Sequence, residues 1–355
     1  MLPELSSNFT TMMPDFTTRP PAGDCQSQLG DHLEYLKLPA ILTSVVIVVL
    51  GLLGNAVALW IFCFRLKTWN PNNLFLFNLV IADFLVLVSV PLNIDALIRG
   101  HWMFGDGLCH INLFLMFANR SASIGLMTVV AIYRYFKVVH PHHWFNRMNK
   151  KQAGFVAAFL WLLMIGPWVP MLVYNHIQNS GNNTQCRFFT SYSESSRAII
   201  ILVGMHRILS VLEFFIPLAM LLFCSARISC ILRRRQMDKS QKVRRAMRVC
   251  AVIVGVFVVC FLPGTLTTIG LWIIRSYRSW DCDLFNTFTK LTIVSLGLNF
   301  LNSALDPVIY CFSSSMFRKA LCSLLPAALR CGQEVSDGEA AASSSGTQSM
   351  MQQEP

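Results

Sequence analysis

The sequence predicts an all-α membrane protein: a seven-transmembrane helix bundle with a short amphipathic eighth helix. Three observations predict it. The chain of 355 residues is 54% hydrophobic and only 13% charged, whereas water-soluble domains carry about 25% charged residues. Seven stretches are each long and apolar enough to cross a bilayer core, which takes about 20 residues of helix. The basic residues fall in short clusters between those stretches, so the net charge of +11 reads as membrane orientation and not as a nucleic-acid-binding face.

The spans, in order, are 39–64, 74–98, 108–138, 154–174, 199–232, 249–274 and 285–312. Several contain proline (Pro91, Pro167, Pro170, Pro217, Pro263, Pro307), which a lipid-embedded bundle tolerates because neighbouring helices re-satisfy the freed backbone groups. Most of the 29 lysines and arginines lie on one side of these spans. Arg65 and Lys67 follow span one, and Lys137, Arg147, Lys150 and Lys151 follow span three. Nine basic residues from Arg227 to Arg248 join spans five and six, and Arg318, Lys319 and Arg330 follow span seven. By the positive-inside rule that side is cytoplasmic, which puts the N-terminus outside and the C-terminus inside.

The organisation read from this pattern is an extracellular glycosylated segment over 1–38, the transmembrane domain over 39–312, a juxtamembrane helix over 313–331 and a disordered cytoplasmic tail over 332–355. The sequons at Asn8 and Asn182 fall on the expected outside. A third, at Asn119, lies mid-span, beyond the reach of glycosylation. Residues 1–24 are polar and proline-studded, with no apolar stretch of the kind a signal peptide needs. Of the twelve cysteines, Cys25, Cys109, Cys186 and Cys282 are expected outside, where disulfides persist; four cysteines allow three pairings. Near the inner leaflet Phe317, Leu321 and Leu324 alternate with Arg318 and Lys319, as in a helix lying on lipid. Cys322 and Cys331 there are either palmitoylation sites or plain thiols.

Seven spans also suit a transporter or a channel, and the motifs decide between them. Span one carries Gly51-Leu52-Leu53-Gly54-Asn55, and span two Asn78-Leu79-Val80-Ile81-Ala82-Asp83. Span three runs from Cys109 to Tyr133-Arg134-Tyr135, span four holds Trp161 and span five Pro217. Span six has Cys260-Phe261-Leu262-Pro263, and span seven Asn302-Ser303-Ala304-Leu305-Asp306-Pro307-Val308-Ile309-Tyr310. This ordered set resembles the rhodopsin-like G-protein-coupled receptors over about 39–325. Further stretches are similar to the hydroxycarboxylic acid and oxoeicosanoid receptor subfamily: Ala58-Leu59-Trp60-Ile61-Phe62-Cys63-Phe64, Trp102-Met103-Phe104-Gly105, Asn119-Arg120-Ser121, Val138-Val139-His140-Pro141-His142-His143, and Leu212-Glu213-Phe214-Phe215-Ile216-Pro217.

Arg120 is the most informative residue. It lies 11 residues past Cys109, roughly 16 Å along a helix, near the bilayer middle, where arginine costs about 2.5–3.5 kcal/mol on insertion scales. A planar guanidinium there can bind a carboxylate through two parallel hydrogen bonds, and the resemblance implies the same use for an acidic ligand. An internal ion pair with Asp83 or Glu213 is the other use of such a residue. Candidate lining residues are Met116, Phe117, Leu266, Thr268 and Phe300. The subfamily's receptors for small hydroxy acids tend to carry arginine and tyrosine where Thr268 and Phe300 stand. Without those polar partners the pocket favours a long apolar tail, each buried CH₂ adding about 0.8 kcal/mol. An oxidised long-chain fatty acid such as an oxoeicosanoid is therefore expected ahead of a small hydroxycarboxylic acid. Arg99, His206, Arg207, Arg275 and Lys290, near the outer mouth, are placed to steer an anion inward or simply to be solvated.

The resemblance implies further roles. Arg134, beside Tyr133 and with Tyr310 in span seven, is expected to couple to a heterotrimeric G protein of the inhibitory class. Tyr133 stands where the family usually has an acid, so the ion pair that restrains Arg134 is missing. Asp83, Asn119, Ser123, Asn302, Ser303 and Asp306 form an oxygen-rich cluster that is expected to hold either an allosteric sodium ion or a water network. Phe257 and Phe261 lie below the pocket, either as a packing element that shifts on activation or as plain core. The resemblance pairs Cys109 with Cys186, which leaves Cys25 with Cys282. The Ser/Thr-containing tail is a candidate arrestin site, and membrane lipids are the remaining partner. A transporter predicts an internal repeat between the halves, and an intramembrane enzyme predicts metal or triad spacing; the sequence carries neither pattern. A nucleotide or chemokine receptor is the nearest alternative.

Overall fold

The structure is a computed structural model and describes residues 22–66, 68–173, 176–180, 183–186, 197–234, 241–277 and 281–324. Among the described residues, seven helices are long and apolar enough to cross a membrane. They are α1 (Ala22–Trp60), α2 (Pro71–Arg99), α3 (Gly105–Val139), α4 (Lys150–Ile165, its span completed by the 3₁₀ segment Gly166–Leu172), α5 (Arg197–Arg234), α6 (Gln241–Tyr277) and α7 (Cys282–Ser313), followed by the short α8 (Ser315–Leu324). The chain is thus an all-α membrane protein with an eighth helix. Asn8, Asn182, Cys331 and the tail lie outside the described residues, as do the side chains of Cys25 and Arg275.

Local chemistry sets the helix ends. Asn70 caps α2, its side chain accepting from the Asn73 backbone N–H at 2.9 Å, with Pro71 at the first helical position, where a missing N–H costs nothing. Gly100 closes α2 at φ 76°, and its N–H donates to the Ala96 carbonyl, a left-handed stop that favours glycine. Asn149 and Gln152 make a reciprocal capping box at the start of α4. Span four ends differently from the uniform helix the sequence predicts. The α-helix stops at Ile165 and continues as a 3₁₀ segment, Gly166–Leu172, because Pro167 and Pro170 cannot donate to the ladder.

α3 is the central helix, packed against α2, α4, α5 and α6. Its buried face includes Asn119, Ser121, Ser123, Met127 and Ala131. α4 is peripheral: Phe155 is 77% and Leu162 75% exposed, a lipid-facing surface. Trp161 ties it inward, its indole donating to Asn78 Oδ1 at 2.9 Å. Close helix contact depends on small residues, as is usual in membranes. A Cβ on Gly54 would come within 2.7 Å of Pro307, and one on Gly270 within 2.1 Å of the Phe288 ring.

A feature the sequence reading did not anticipate is a two-stranded antiparallel hairpin, β1 (Ile177–Ser180) and β2 (Asn183–Cys186), with Ile177 opposite Cys186. It is tied to the top of α3 by the Cys109–Cys186 disulfide and to the α2–α3 loop by the Trp102 N–H donating to the Thr184 carbonyl at 2.7 Å. At the opposite end, Phe317 of α8 is buried against Phe62 and Tyr310, with ring centroids 5.5 and 5.8 Å away.

Candidate functional site

Arg120 projects from the middle of α3 towards α6, where it donates to Thr265 Oγ1 at 3.0 Å. Neither Asp83 nor Glu213 forms an ion pair with it, although the Glu213 charge on α5 acts on it electrostatically. Thr265 is its hydrogen-bond partner among the described residues. Thr265 is a residue that sequence reasoning missed. Its hydroxyl accepts from Arg120 and donates to the Phe261 carbonyl at 2.9 Å. One turn further, the Phe261 ring stands edge-on to Phe257 at 5.4 Å, and Phe257 stacks on Phe214 of α5 at 5.3 Å. A continuous set of contacts therefore runs from the guanidinium to the packed aromatic core of α5 and α6.

The surrounding wall is aromatic and apolar. Phe117 stacks on Trp168 at 4.7 Å, and Trp168 stacks on His206 at 5.2 Å. Trp168 is fixed by donating to Ser121 Oγ at 2.7 Å, and His206 by the Pro167 carbonyl. Met116 lies beside Asn93, which pairs reciprocally with Asn112 at 2.9 and 2.8 Å. Phe300 on α7 is half-buried, and the Thr268 hydroxyl donates to the Gly264 carbonyl. Leu266 is not gathered with them. Thr265 faces α3, while Gly264 and Thr267 face Ser295 of α7; Leu266 lies 100° round the helix from Thr265 and is 51% exposed.

Over this end lies His176, fully buried, its imidazole donating to the Met171 carbonyl at 3.0 Å and meeting His110 edge-on at 5.3 Å. Burial holds the His176 imidazole below its ordinary value of 6.5, against the pull of that hydrogen bond, and His110 adds to the depression while Asp106 opposes it. A folded value below the unfolded one means that the unfolded chain binds the proton more readily. The stabilising contribution is complete above about pH 6.5 and is lost as pH falls through the folded value. The purified protein is therefore expected to melt at a lower temperature at pH 5 than at pH 7.5, and His176→Phe to narrow that gap; a gap of unchanged size in the variant contradicts the assignment.

Deeper in the bundle the oxygen-rich cluster is brought together. Asp83 accepts from Asn119 Nδ2 at 3.2 Å and from the Tyr310 hydroxyl at 2.9 Å. Asn302 Nδ2 donates to Asp306 Oδ2 at 3.1 Å, and Asn55 bridges to the Ser303 carbonyl at 2.8 Å. Among the described residues, Ser123 Oγ, Ser303 Oγ, Asn302 Oδ1 and Asp306 Oδ1 are buried with no partner in good hydrogen-bond geometry, although Asp83 lies within interaction range of Ser303 and Asp306. Tyr310, grouped from sequence with Arg134, belongs here by its contacts, with Asn55 Oδ1 also 3.2 Å from its hydroxyl.

At the α8 end, Arg134 donates to Asn72 Oδ1 at 3.1 Å, to Ser313 Oγ at 3.0 Å and to the Ser313 carbonyl. Tyr133 is buried with the Lys137 ammonium 5.3 Å over its ring. Neutral acceptors on α2 and at the end of α7 thus take the place of an acid beside Arg134. The Cys109–Cys186 bridge is present and Cys282 is disulfide-bonded.

Residues 54–310 match the family model for the seven-transmembrane receptors of the rhodopsin family. The chain is 41% identical over 294 residues to hydroxycarboxylic acid receptor 2 of Homo sapiens, covering 82% of this chain and 78% of that protein. It is 39% identical over 311 residues to hydroxycarboxylic acid receptor 1 of Mus musculus, covering 86% of each. To oxoeicosanoid receptor 1 of Homo sapiens it is 38% identical over 276 residues, 76% of this chain and 67% of that one.

Proposed function

Because the chain belongs to the rhodopsin family of G-protein-coupled receptors, within the hydroxycarboxylic acid and oxoeicosanoid receptor subfamily, we propose that it is a plasma-membrane receptor for a carboxylate. In this reading the disulfide end faces outward, the basic α8 end faces the cytoplasm, and the partner is an inhibitory G protein that lowers cyclic AMP. Arrestin is a further partner through the Ser/Thr-containing tail, and Asn8 and Asn182 carry glycans.

One observation carries the ligand class: a guanidinium in mid-bundle whose hydrogen-bond partner among the described residues is a neutral hydroxyl, with no carboxylate paired to it there. A carboxylate entering there gains charge-assisted hydrogen bonds in a low-dielectric setting. It also relieves the cost of a buried charge without an ion pair. Taking up the guanidinium changes its bond to Thr265, hence the α6 turn at Phe261 and the Phe257–Phe214 stack. That gives the ligand different contacts in the two states, as any population shift requires. Met116, Phe117 and Phe300 favour an apolar tail, so an oxidised long-chain fatty acid is preferred over a small hydroxycarboxylic acid. The test is inhibition of cyclic AMP in transfected cells by both classes of acid. The expected result is a response to the long-chain acids at far lower concentration; a response confined to the short acids reverses the preference, and none to any acid refutes the class.

The oxygen cluster fits a sodium ion, since hard cations take oxygen ligands and four buried oxygens there lack a partner in good hydrogen-bond geometry among the described residues. Asp83, Asp306, Ser123, Ser303 and Asn302 would hold it. Bound there, such an ion would offset the charge of Asp83 and Asp306 and favour the packing that keeps them together. Replacing potassium by sodium is expected to lower agonist affinity about fivefold or more, and Asp83→Asn to abolish the difference. Equal sodium dependence in that variant contradicts the proposal.

A further inference from the structure

The α8 end holds a cavity of about 330 Å³ that the ligand reading does not use, lined by Asn70, Asn72, Asn73, Arg134, Lys137, Arg245 and the Ser313–Met316 turn, with no acidic residue among its lining. Three buried donors of these residues have no partner: Arg134 Nε, Arg245 Nη2 and Asn73 Nδ2, the last on a residue only 1% exposed. Arg245 is anchored by Nε donating to the Phe312 carbonyl at 3.3 Å. Two helices also begin at this cavity. α2 contributes its capping Asn70 and first turn, and α8 begins beside Ser314, whose hydroxyl accepts from the Phe317 N–H. A helix N-terminus carries partial positive charge and offers unbonded N–H groups. Unpaired donors, two guanidiniums and two helix N-termini therefore converge on one space, with no carboxylate among the described residues that line it.

The geometry points to a regulatory anion site here, built for a phosphate group, either free phosphate or the phosphorylated headgroup of an inner-leaflet lipid. The inference rests on the reading of this end as the cytoplasmic, G-protein-facing one. Tyr133 leaves Arg134 without a carboxylate of its own, and a bound phosphate supplies the missing counter-ion. Phosphate and G protein then draw on the same arginine, so the anion holds the receptor in its resting state.

The test uses the full-length receptor in phosphatidylcholine nanodiscs, where both faces are reachable and neither agonist nor G protein is needed. Tm is followed against inorganic phosphate, with sodium chloride at matched ionic strength, and in discs containing a phosphoinositide. Phosphate also stabilises proteins generally, through exclusion from their surface, so the diagnostic is a saturable rise that the variants lose. A saturable rise in phosphate assigns the site to the free anion, and a rise only with phosphoinositide assigns it to the lipid. In either case Arg245→Gln and, separately, Asn73→Leu are expected to weaken the midpoint, by about tenfold for Arg245→Gln. Because the readout is binding alone, a receptor that binds phosphate but fails to couple counts against the functional reading and not against the site. Equal behaviour in chloride and phosphate with no phosphoinositide effect, or an unchanged midpoint in both variants, overturns the inference.

Discussion

Arg120→Ala is expected to abolish the response to a carboxylic-acid agonist while leaving the receptor at the cell surface. Truncating one partner of a buried, hydrogen-bonded charge pair costs about 2–5 kcal/mol, which corresponds to a loss of roughly 30- to 5,000-fold in affinity. Arg120→Lys keeps the charge but loses the planar fork, so an intermediate loss is expected. Without ligand the alanine variant should fold at least as well, because it removes a buried charge that has no ion-pair partner and whose bonded neighbour, Thr265, keeps its bond to the Phe261 carbonyl. Glu213→Gln provides the opposite control. Its carboxylate acts on Arg120 across the α3–α5 interface, and removing that charge is expected to strengthen agonist binding. Dose–response curves with surface expression measured in parallel check both; an unshifted curve for Arg120→Ala removes the anchor.

The second large effect is expected at the disulfide. Cys109 and Cys186 are 77 residues apart in sequence, and losing a native bridge costs about 2–5 kcal/mol. Here the bridge also holds the hairpin at the top of α3, at the end where the proposed ligand would enter, because β2 ends at Cys186 and the Trp102 N–H holds Thr184. Cys186→Ser is therefore expected to lower Tm by several degrees and to weaken agonist binding together. Dithiothreitol should reproduce the variant's loss in the wild type and, because it also reduces the Cys282 bridge, lower Tm further in both. A variant that melts like the wild type and binds normally contradicts this role for the loop.

Much of the fold was legible because membrane insertion writes itself into long apolar runs, and α2, α3 and α7 begin within three residues of the expected spans. Which way each residue faces was far less legible. Lipid and bundle interior are both apolar, so the polar–apolar periodicity that orients a soluble helix is weak. Leu266 was for that reason grouped with the pocket although it turns outward. Arg120 stood out because a charge at mid-bilayer is costly wherever it points. Its partner Thr265 did not, since a threonine 145 residues away satisfies itself on its own helix and leaves no trace in the pattern. The hairpin hid for another reason: four-residue strands between loops carry too little alternation to read. The α8-end cavity is a property of four separate segments meeting, and only Tyr133, standing where an acid was expected, hinted at it.

The most direct measurement is the structure of the agonist-bound receptor at a resolution that defines side chains. The account predicts the agonist carboxylate within hydrogen-bonding distance of the Arg120 guanidinium, with its tail against Phe117 and Phe300. An agonist whose carboxylate lies elsewhere, with Arg120 turned to Glu213 instead, contradicts it.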